Sequence, residues 1–317
     1  MKKLLIIATA LVALGAVVSV FAASRMNFDF KKLDNNNYVI NTYDFSESFK
    51  NISVDTDITR LTFKPATNGK TTVECFEEEK LRHEVSVSNG TLTIKSVNER
   101  KISDFSMFSM RSPEVTVYLP EKTYENLKID TDTGNIEIPS DFSFSEIDIT
   151  GDTADVRCYA SASGDVKINL STGMITLDGV SANNMELVTS TGMKSLKDVN
   201  VKNDLYINNS TGSASVTDST CANLTSDGST GDMDLKNVIV TNTMKIERST
   251  GDVRIERCDA AEVYVTTDTG SVKGSFLSDK VFFASSDTGS INVPKTTNGG
   301  KCEITTDTGD IKFEIVK

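Results

Sequence analysis

The chain has 317 residues, with 33 Lys and Arg against 45 Asp and Glu, a net charge of −12, one His and no Trp. The acidic balance argues against nucleic acid as the main partner, because phosphate binding needs a basic surface. A single His leaves little room for Ser-His-Asp catalysis or for a His-based metal site. The imbalance lies in residues 127–317, which hold 17 basic and 29 acidic residues, whereas residues 1–126 hold 16 of each.

The chain begins with a short basic segment and an apolar run. Lys2 and Lys3 precede the uncharged residues 4–23, a stretch long enough to span a bilayer. This pattern predicts export, with residues 1–24 as a cleaved signal peptide or a retained membrane anchor. Residues 20–22 fit a cleavage site, whereas the length of the apolar run favours the anchor. Residues 25–43 are expected to form a polar tether that leads to a membrane-bound extracytoplasmic domain or a secreted one.

Residues 44–126 predict an irregular β region that runs into a regular one without a flexible linker. Residues 52–63 align without gaps on residues 127–138, and only the Thr-Gly pair of the second segment is replaced. The sequence Ser-Asn-Gly-Thr at 88–91, between two alternating segments, indicates a tight hairpin turn. Residues 96–113 predict a loop that contains the Met-rich segment 107–110.

An internal repeat dominates residues 127–317. The dipeptide Thr-Gly recurs with seven consecutive spacings of 19 or 20 residues from Gly173 to Gly309, after less regular spacings around Gly151. Apolar residues occupy alternate positions on both sides of the Gly, and mostly polar residues lie between them, which is typical of half-buried strands. The apolar columns have exceptions at Lys194, Ser226, Gly274 and Ala284.

These repeats predict an all-β fold, a single-stranded β-solenoid of about ten coils of 19–20 residues each, preceded by the N-terminal helix. A unit this short cannot bury its apolar residues alone, so we expect each strand to pair with the equivalent strand of the next coil. Ten coils at about 4.8 Å per coil give a rod of roughly 48 Å, and right-handed winding is expected. A propeller blade needs about 40 residues, and a leucine-rich repeat needs a Leu and Asn pattern that is missing.

Acidic and hydroxyl side chains flank the turn Gly in most coils. Their expected role is structural, because Asp, Ser and Thr side chains bond turn backbones and stacked hydroxyls bond from coil to coil. The alternative is a hard cation such as Ca²⁺ between carboxylates of adjacent coils, although the nonapeptide of calcium-binding β-rolls is absent. We assign no metal, cofactor or catalytic residues. The carboxylates of the turns are Asp132, Asp152, Asp232, Asp252, Asp268, Asp287, Asp307 and Asp310.

The five Cys residues are expected to be buried small hydrophobic residues without disulfides. Cys158 and Cys258 both lie seven residues after a repeat Gly, about five coils and roughly 24 Å apart, which is too far for a bond. Cys302 falls in an apolar column, Cys221 lies in another coil and phase, and Cys75 has no assigned place.

His83 lies in the charged segment 77–84 and is expected to be solvated, with no second His to form a ligand pair. The coils between residues 173 and 309 contain no insertion. Polysaccharide-active solenoid enzymes use long loops to build a groove against the solenoid wall. An enzyme is therefore not expected.

The chain resembles the bacterial putative-adhesin family of unknown function, which includes LiaG-like envelope proteins. The resemblance covers residues 44–317 and rests on three features: the basic and apolar N-terminus, Ile-x-Val-Asp-Thr-Asp at 52–57, and the repeated Thr-Gly-Asp/Ser-aliphatic-x-aliphatic units. It implies an exported β-solenoid, and some members are encoded beside envelope-stress regulators in Gram-positive bacteria. The family defines no catalytic residues, so none is carried over.

Together these features favour a membrane-anchored extracytoplasmic protein that acts in binding, as an adhesin-like or scaffold protein. The alternative is a sensor or regulatory partner of membrane proteins in envelope stress, and a polysaccharide-active enzyme is less favoured. The expected partners are the membrane, through the N-terminal helix, and an envelope protein or polymer that the sequence does not identify. Residues 310–317 predict a free strand edge at the end of the rod, open to end-to-end self-association.

Overall fold

The computed structural model describes residues 2–25, 27–28, 37–100 and 111–316, without the side chains of residues 2–7 and 10. The described residues form one helix and a continuous β-solenoid of about ten turns, which confirms the predicted fold class. In chain order the elements are α1 (Lys2–Arg25), β1 (Tyr38–Phe45), β2 (Asn51–Ile58), β3 (Arg60–Pro65), β4 (Thr71–Glu78), β5 (Leu81–Ser88), β6 (Thr91–Asn98), β7 (Glu114–Leu119), β8 (Thr123–Ile138), β9 (Ser143–Cys158), β10 (Ser161–Ala162), β11 (Val166–Thr172), β12 (Ile175–Asp178), β13 (Ser181–Ala182), β14 (Met185–Thr191), β15 (Lys194–Lys197), β16 (Asn200–Thr211), β17 (Ala214–Thr217), β18 (Thr220–Thr230), β19 (Met233–Lys236), β20 (Ile239–Val240), β21 (Thr243–Thr250), β22 (Val253–Cys258), β23 (Glu262–Thr269), β24 (Val272–Phe276), β25 (Lys280–Thr288), β26 (Ile291–Asn292), β27 (Gly300–Thr308) and β28 (Ile311–Ile315).

The N-terminal region contains α1 and then β1. Among the residues that the structure describes, no helix is both long enough and apolar enough to cross a membrane. The predicted tether, residues 25–43, ends earlier than expected, because β1 begins at Tyr38 and pairs antiparallel with β4. Much of the tether (26 and 29–36) and the Met-rich part of the predicted loop (101–110) lie outside the described residues.

Each regular coil has three sides. In one coil β11 ends at Thr172, the chain turns at Gly173, β12 forms the second side, and β13 forms a short third side. β11 pairs in parallel with β9 on one side and with β14 on the other, so side chains of successive coils form columns. The inward residues of this coil, such as Ile168 and Leu177, are at most 1% exposed. The short third side was not predicted from the sequence.

The corner after the second side requires a left-handed backbone conformation. Five residues, each six positions after the turn Gly of its coil, have φ between 50° and 71° there. Gly, Asn and Asp adopt this conformation at low cost, which explains their use at this position in four of the five coils. They are Gly179, Asp198, Asp218, Asn237 and Arg257.

The pairing register of the coils shows that the sequence-based position of the turn at Gly151 is wrong. Ala154, not Gly151, pairs with the turn residue Gly134, and its carbonyl oxygen meets the next turn at Gly173. The repeat is therefore regular here too, and Gly151 lies three residues before the turn, on the inner side of the strand. Thr150-Gly151 was misleading because it reproduces the turn dipeptide inside a strand.

The shifted register also moves one Cys. Cys158 pairs with Ile138 and Leu177, in the column four residues after the turn, and so does not share a column with Cys258. The prediction that Cys158, Cys221, Cys258 and Cys302 are free and buried is confirmed, and Cys75 is free and buried as well. Burial raises the pKa of each thiol to about 12, which makes these residues poor nucleophiles.

The coils at the C-terminal end are not stacked in chain order. β27 lies between β23 and β25, and β28 lies between β24 and β26. The expectation of sequential stacking is therefore wrong. The expectation of a free edge at 310–317 is wrong for Ile311 and Lys312, which pair with both β24 and β26, whereas residues 313–315 pair with β24 alone. Within the described residues the outermost coil is β25 and β26, where Phe283 is 56% exposed and Ile291 is 44% exposed.

The N-terminal end has a comparable arrangement. β2 lies between β8 and β6, and β3 lies between β8 and β7. The predicted gap-free alignment is confirmed, because Ile52 pairs with Leu127 and the register continues along both strands. The predicted hairpin is also confirmed, with Asn89 and Gly90 at φ 51° and 75° between β5 and β6. Antiparallel β1, β4 and β5, called here the N-terminal cap, close this end.

The turn glycines are the residues that we expect to tolerate substitution least. A Cβ on Gly192 would lie 1.8 Å from the carbonyl oxygen of Gly173, at a φ of +152°. Gly192→Ala should therefore lower the free energy of unfolding by about 2–4 kcal/mol, because the two coils must separate. Thermal unfolding followed by circular dichroism measures this loss.

Gly69→Ala is the matched control, because Gly69 also has a positive φ, +69°, but a Cβ there meets nothing within 4 Å. This control should lose only about 1 kcal/mol from the strained backbone. Equal losses in the two variants would show that the close approach of the coils is unimportant.

Candidate functional site

The turn carboxylates bond the backbone of the neighbouring coil. Asp232 accepts a hydrogen bond from the backbone N–H of Asp252 at 2.9 Å, and Asp252 accepts one from the N–H of Ser271 at 2.9 Å. Asp155 does the same for Met174, also at 2.9 Å. The N–H of Asp252 therefore holds the pKa of Asp232 below its usual range, with a further contribution from Arg254. These contacts give the carboxylates that directly follow the turn the structural role that the sequence predicts, whereas no such bond is found for Asp132, Asp268, Asp287 and Asp307, which precede it, among the described residues.

A denser group of carboxylates lies on the first coils. Burial raises the pKa of Asp132, and the charges of Asp57, Asp152, Asp130 and Asp55 add to this effect in that order. Among the described residues, however, these side chains do not form a group of three whose oxygen atoms lie within 4.8 Å of one another. The Ca²⁺ alternative therefore gains no site from this geometry.

The clearest departure from the repeat lies in the middle of the rod, where Lys194 occupies an apolar column. It pairs with Ile175 and Ala214 on the neighbouring coils, and it is only 2% exposed. Its Nζ donates hydrogen bonds to Thr189 Oγ1 at 2.6 Å and to Asn209 Oδ1 at 2.6 Å. The small side chain of Ala214 leaves room for this cation inside the solenoid.

Arg248 is a second buried cation in the same interior, 5% exposed. Its guanidinium lies over Gly228 of the preceding coil, where an added Cβ would come within 2.6 Å of Nη1. Nη2 donates to Ser226 Oγ at 2.7 Å and Nη1 donates to the carbonyl oxygen of Glu247 at 2.9 Å. Burial lowers the pKa of Arg248. Within the described residues neither Arg248 nor Lys194 forms an ion pair with a carboxylate.

A groove opens to solvent above these residues, with a volume of about 360 Å³. This volume falls within the range of ordinary ligand pockets, roughly 300–1,000 Å³. Asp227 lies in its wall. Its Oδ1 atom is buried and has no hydrogen-bond partner among the described residues. The residues that matter for its chemistry are Asn208, Asp227, Glu247, Arg248, Thr266 and Asp268. We call this pocket the Asp227 groove.

The Asp227 groove is polar and carries both signs of charge. Three carboxylates, Asp227, Glu247 and Asp268, offer acceptors at its walls, whereas Arg248 places a cation beneath them. Its lining has no aromatic ring, and no Cys or His. The arrangement suits hydrogen bonding to a polar, uncharged ligand better than stacking or nucleophilic chemistry. The sequence showed this site only as two column exceptions, Lys194 and Ser226.

The N-terminal cap holds a second buried polar group, and it corrects the expectation for His83. His83 is 2% exposed and its Nδ1 lies 2.8 Å from Oε2 of Glu77, which is fully buried. His83 Nε2 lies 3.2 Å from Oγ1 of Thr59. The solvated position predicted for His83 is wrong, because the hairpin between β4 and β5 turns both side chains into the cap. Cys75, which had no assigned place, is buried on β4.

Comparison with protein families identifies the chain's class as a β-solenoid of the Toastrack type. The model of the Toastrack DUF4097 family matches residues 49–203 and 199–317. The two matches cover most of the chain, so the chain belongs to this family, which confirms the resemblance found in the sequence. No curated protein sequence matches the chain.

Several solved structures are similar to this chain at low identity. A putative adhesin from Bacteroides fragilis is 13% identical with a TM-score of 0.41, covering 88% of this chain and 97% of its own. A putative adhesin from Parabacteroides distasonis is 11% identical with a TM-score of 0.46, covering 88% and 98%. A putative lipid binding protein from the same species is 13% identical with a TM-score of 0.33, covering 89% and 98%.

Lys194 should make stability depend on pH. Burial, and then the charge of Arg248, lower the pKa of Lys194 to about 7 in the folded chain, whereas an unfolded Lys titrates near about 10.4. Between these values the unfolded state binds more protons, so the free energy of unfolding rises with pH across this window. The destabilising effect is fully present below pH 7. Lys194→Met should remove this dependence, worth about 1 kcal/mol per pH unit.

Chemical denaturation of the wild type and Lys194→Met chains between pH 7 and pH 10 measures the difference. The matched control is Lys167→Met, which removes an exposed Lys from the outer side of β11. This control should keep the slope of the wild type. Parallel curves for wild type and Lys194→Met would show that Lys194 keeps its proton throughout.

Proposed function

We propose that this chain is an exported, membrane-anchored rod that binds a partner outside the cytoplasm, as an adhesin-like or scaffold protein. The Asp227 groove is the observation that carries the proposal. Elsewhere the interior columns are mostly apolar, whereas here the buried cations Lys194 and Arg248 interrupt them, and in the groove wall Asp227 Oδ1 has no hydrogen-bond partner among the described residues. Departures of this kind from an otherwise consistent pattern are expected at functional sites, because they cost stability.

The chemistry of the groove favours an uncharged polyhydroxyl ligand, such as a neutral segment of an envelope polysaccharide. Asp227 Oδ1 requires a donor, which a sugar hydroxyl supplies, and the same hydroxyl accepts a bond from an amide or guanidinium N–H. The carboxylates at the wall repel an anionic polymer. Arg248 beneath the groove reduces the attraction for a cationic peptide, so a neutral ligand fits the mixed charges best.

Export is proposed from the sequence. Lys2, Lys3 and the apolar residues 4–23 have the order of charges and the length of a segment that directs a chain to the membrane. The long solenoid would then lie outside, where envelope polymers are found. The names of the similar solved structures, which include adhesins and a lipid binding protein, belong to those proteins and do not choose between ligands for this one.

Binding should depend on Asp227. Full-length protein is screened against arrayed neutral and acidic oligosaccharides, and the strongest ligand is then titrated by calorimetry. Asp227→Asn should weaken binding at least tenfold, because Asn replaces one acceptor oxygen by a donor. Asp130→Asn is the matched control, since Asp130 occupies the same position, four residues before the turn Gly, in a distant coil. It should bind like the wild type.

Two results would contradict this proposal. One is an equal loss of affinity in the two Asn variants, which would remove any special role of the groove. The other is the absence of binding to every neutral oligosaccharide together with tight binding to a basic peptide, which would assign the groove to a cationic partner.

The location of the chain is tested separately. A reporter enzyme that is active only outside the cytoplasm, fused after residue 317, should be active in whole cells and should fractionate with membranes. Removal of residues 2–25 should abolish that activity, because the export signal lies there. Activity of a cytoplasm-only reporter at the same position would overturn the proposed location.

A further inference from the structure

Three potential metal ligands meet inside the N-terminal cap. Cys75 and Glu77 lie on β4 and His83 lies on β5, and these side chains are nearly or fully inaccessible to solvent. Cys75 Sγ, a Glu77 carboxylate oxygen and a His83 ring nitrogen all lie within 4.8 Å of one another. Among the described residues, no other group of three or more His, Cys, Asp or Glu side chains brings its ligand atoms this close together.

Neighbouring groups hold two of these side chains in fixed orientations. Glu77 Oε1 accepts a hydrogen bond from Asn41 Nδ2 at 2.6 Å, and Glu77 Oε2 accepts one from the backbone N–H of His83 at 2.6 Å. His83 Nε2 faces Thr59 Oγ1 at 3.2 Å. When Nε2–H donates to this hydroxyl, Nδ1 presents its lone pair toward Glu77 and Cys75. Metal-binding His residues are usually oriented in this way by a partner on the other ring nitrogen.

An ordinary hydrogen bond between His83 and Glu77 explains only part of this arrangement. A fully buried carboxylate is costly unless a positive charge compensates it. The donors from Asn41 and from the backbone of His83 are uncharged, so the Glu77 charge is compensated only by a proton on the His83 ring or by a bound cation. The thiol of Cys75 lies beside these two groups, and within the described residues its Sγ has no hydrogen-bond partner. A divalent cation would satisfy all three groups at once.

We infer that Cys75, Glu77 and His83 form a Zn²⁺ site that fastens β4 to β5 in the N-terminal cap. One sulfur, one nitrogen and one oxygen ligand are a donor set that suits zinc, and three protein ligands leave one position for water. Zinc bonds of about 2.0–2.3 Å place ligand atoms roughly 3.3–3.6 Å apart, so Nδ1 and Oε2 separate by about half an ångström on binding. Binding releases the thiol proton of Cys75 to solvent.

The site would stabilise the N-terminal end of the rod. The cap closes the first coils, and Thr59 connects the cluster to them, since Thr59 occupies the turn position beneath Gly134. A metal that binds only the folded cap raises the stability of the folded chain in proportion to the logarithm of its concentration. This inference does not depend on the Asp227 groove or on its ligand.

Cobalt titration of the metal-free, full-length protein tests the site. Co²⁺ should bind with a stoichiometry of one and give a thiolate-to-cobalt charge-transfer band in the near ultraviolet, and Zn²⁺ should abolish the band by displacement. Added Zn²⁺ should raise the Tm of the wild type. Cys75→Ser should remove the band and the rise in Tm. Cys302→Ser, a buried Cys in a distant coil, is the matched control and should retain both.

A second variant covers the case in which Cys75→Ser fails to fold. Glu77→Gln keeps the size of the side chain and should lower the affinity for Co²⁺ at least tenfold while its circular dichroism stays that of the wild type. The absence of a band in folded wild-type protein would overturn the inference. Retention of wild-type affinity in folded Cys75→Ser or Glu77→Gln would overturn it equally.

Discussion

The close backbone contact at the Thr-Gly turn is the constraint on which the rest of the rod depends. From Gly173 onward, each turn Gly except Gly289 of the outermost coil donates its N–H to the carbonyl oxygen of the Thr in an adjacent coil, for example Gly192 to Thr211 at 2.9 Å. On its other side the Gly Cα lies so near the carbonyl oxygen of the opposite neighbouring coil, Gly173 in the case of Gly192, that a Cβ has no room. Where the coils stack in chain order this contact recurs every 19 or 20 residues, whereas Gly309 meets Gly270 because β27 lies next to β23.

In-register stacking also explains why the Asp227 groove forms where it does. Each inward residue is stacked between the equivalent residues of two neighbouring coils, as Lys194 is between Ile175 and Ala214. A long cation therefore fits only where a neighbour is small, as Ala214 is for Lys194 and Gly228 is for Arg248. Lys194 bonds Asn209 in the next coil, and Arg248 bonds Ser226 in the coil before its own, so the two cations involve four adjacent coils. The groove is thus a property of several coils rather than of one substituted residue.

The sequence predicts the coils well and their order poorly. Alternation of apolar residues around a fixed turn reveals which side of a strand is buried, and it was sufficient to align residues 52–63 on 127–138 correctly. It carries no information on which coil lies next to which, so the exchange of β25 and β27 was not foreseen. The turn at Ala154 lacks the Thr-Gly dipeptide, because its φ is negative and Ala can replace Gly there. Thr150-Gly151 has the dipeptide but lies within β9, so the sequence pattern placed the turn at the wrong residue.

The candidate site was only partly visible in the sequence. Lys194 and Ser226 stand out in the sequence because their columns are otherwise apolar. Arg248 and Asn209 lie three residues before the turn Gly, in a column that mixes Thr, Gly and Leu, so a polar residue there does not stand out. His83 was misjudged because its charged neighbours in sequence indicated solvent. The hairpin of β4 and β5 instead brings it onto a carboxylate six residues away, a contact that local composition does not encode.

The exchanged coils near the C-terminal end have a consequence for synthesis on the ribosome. Solenoids whose coils follow chain order can extend one coil at a time as the chain emerges. Here β25 and β26 are made before β27 and β28 but rest on them. The residues from 280 to 292 therefore emerge before the strands that they pair with, although Lys280 contacts Asp259 and Phe282 contacts Phe276 in coils made earlier. They must wait, exposed, until residues 300–315 have been translated and inserted, so that the final stage of folding closes two coils in a single step.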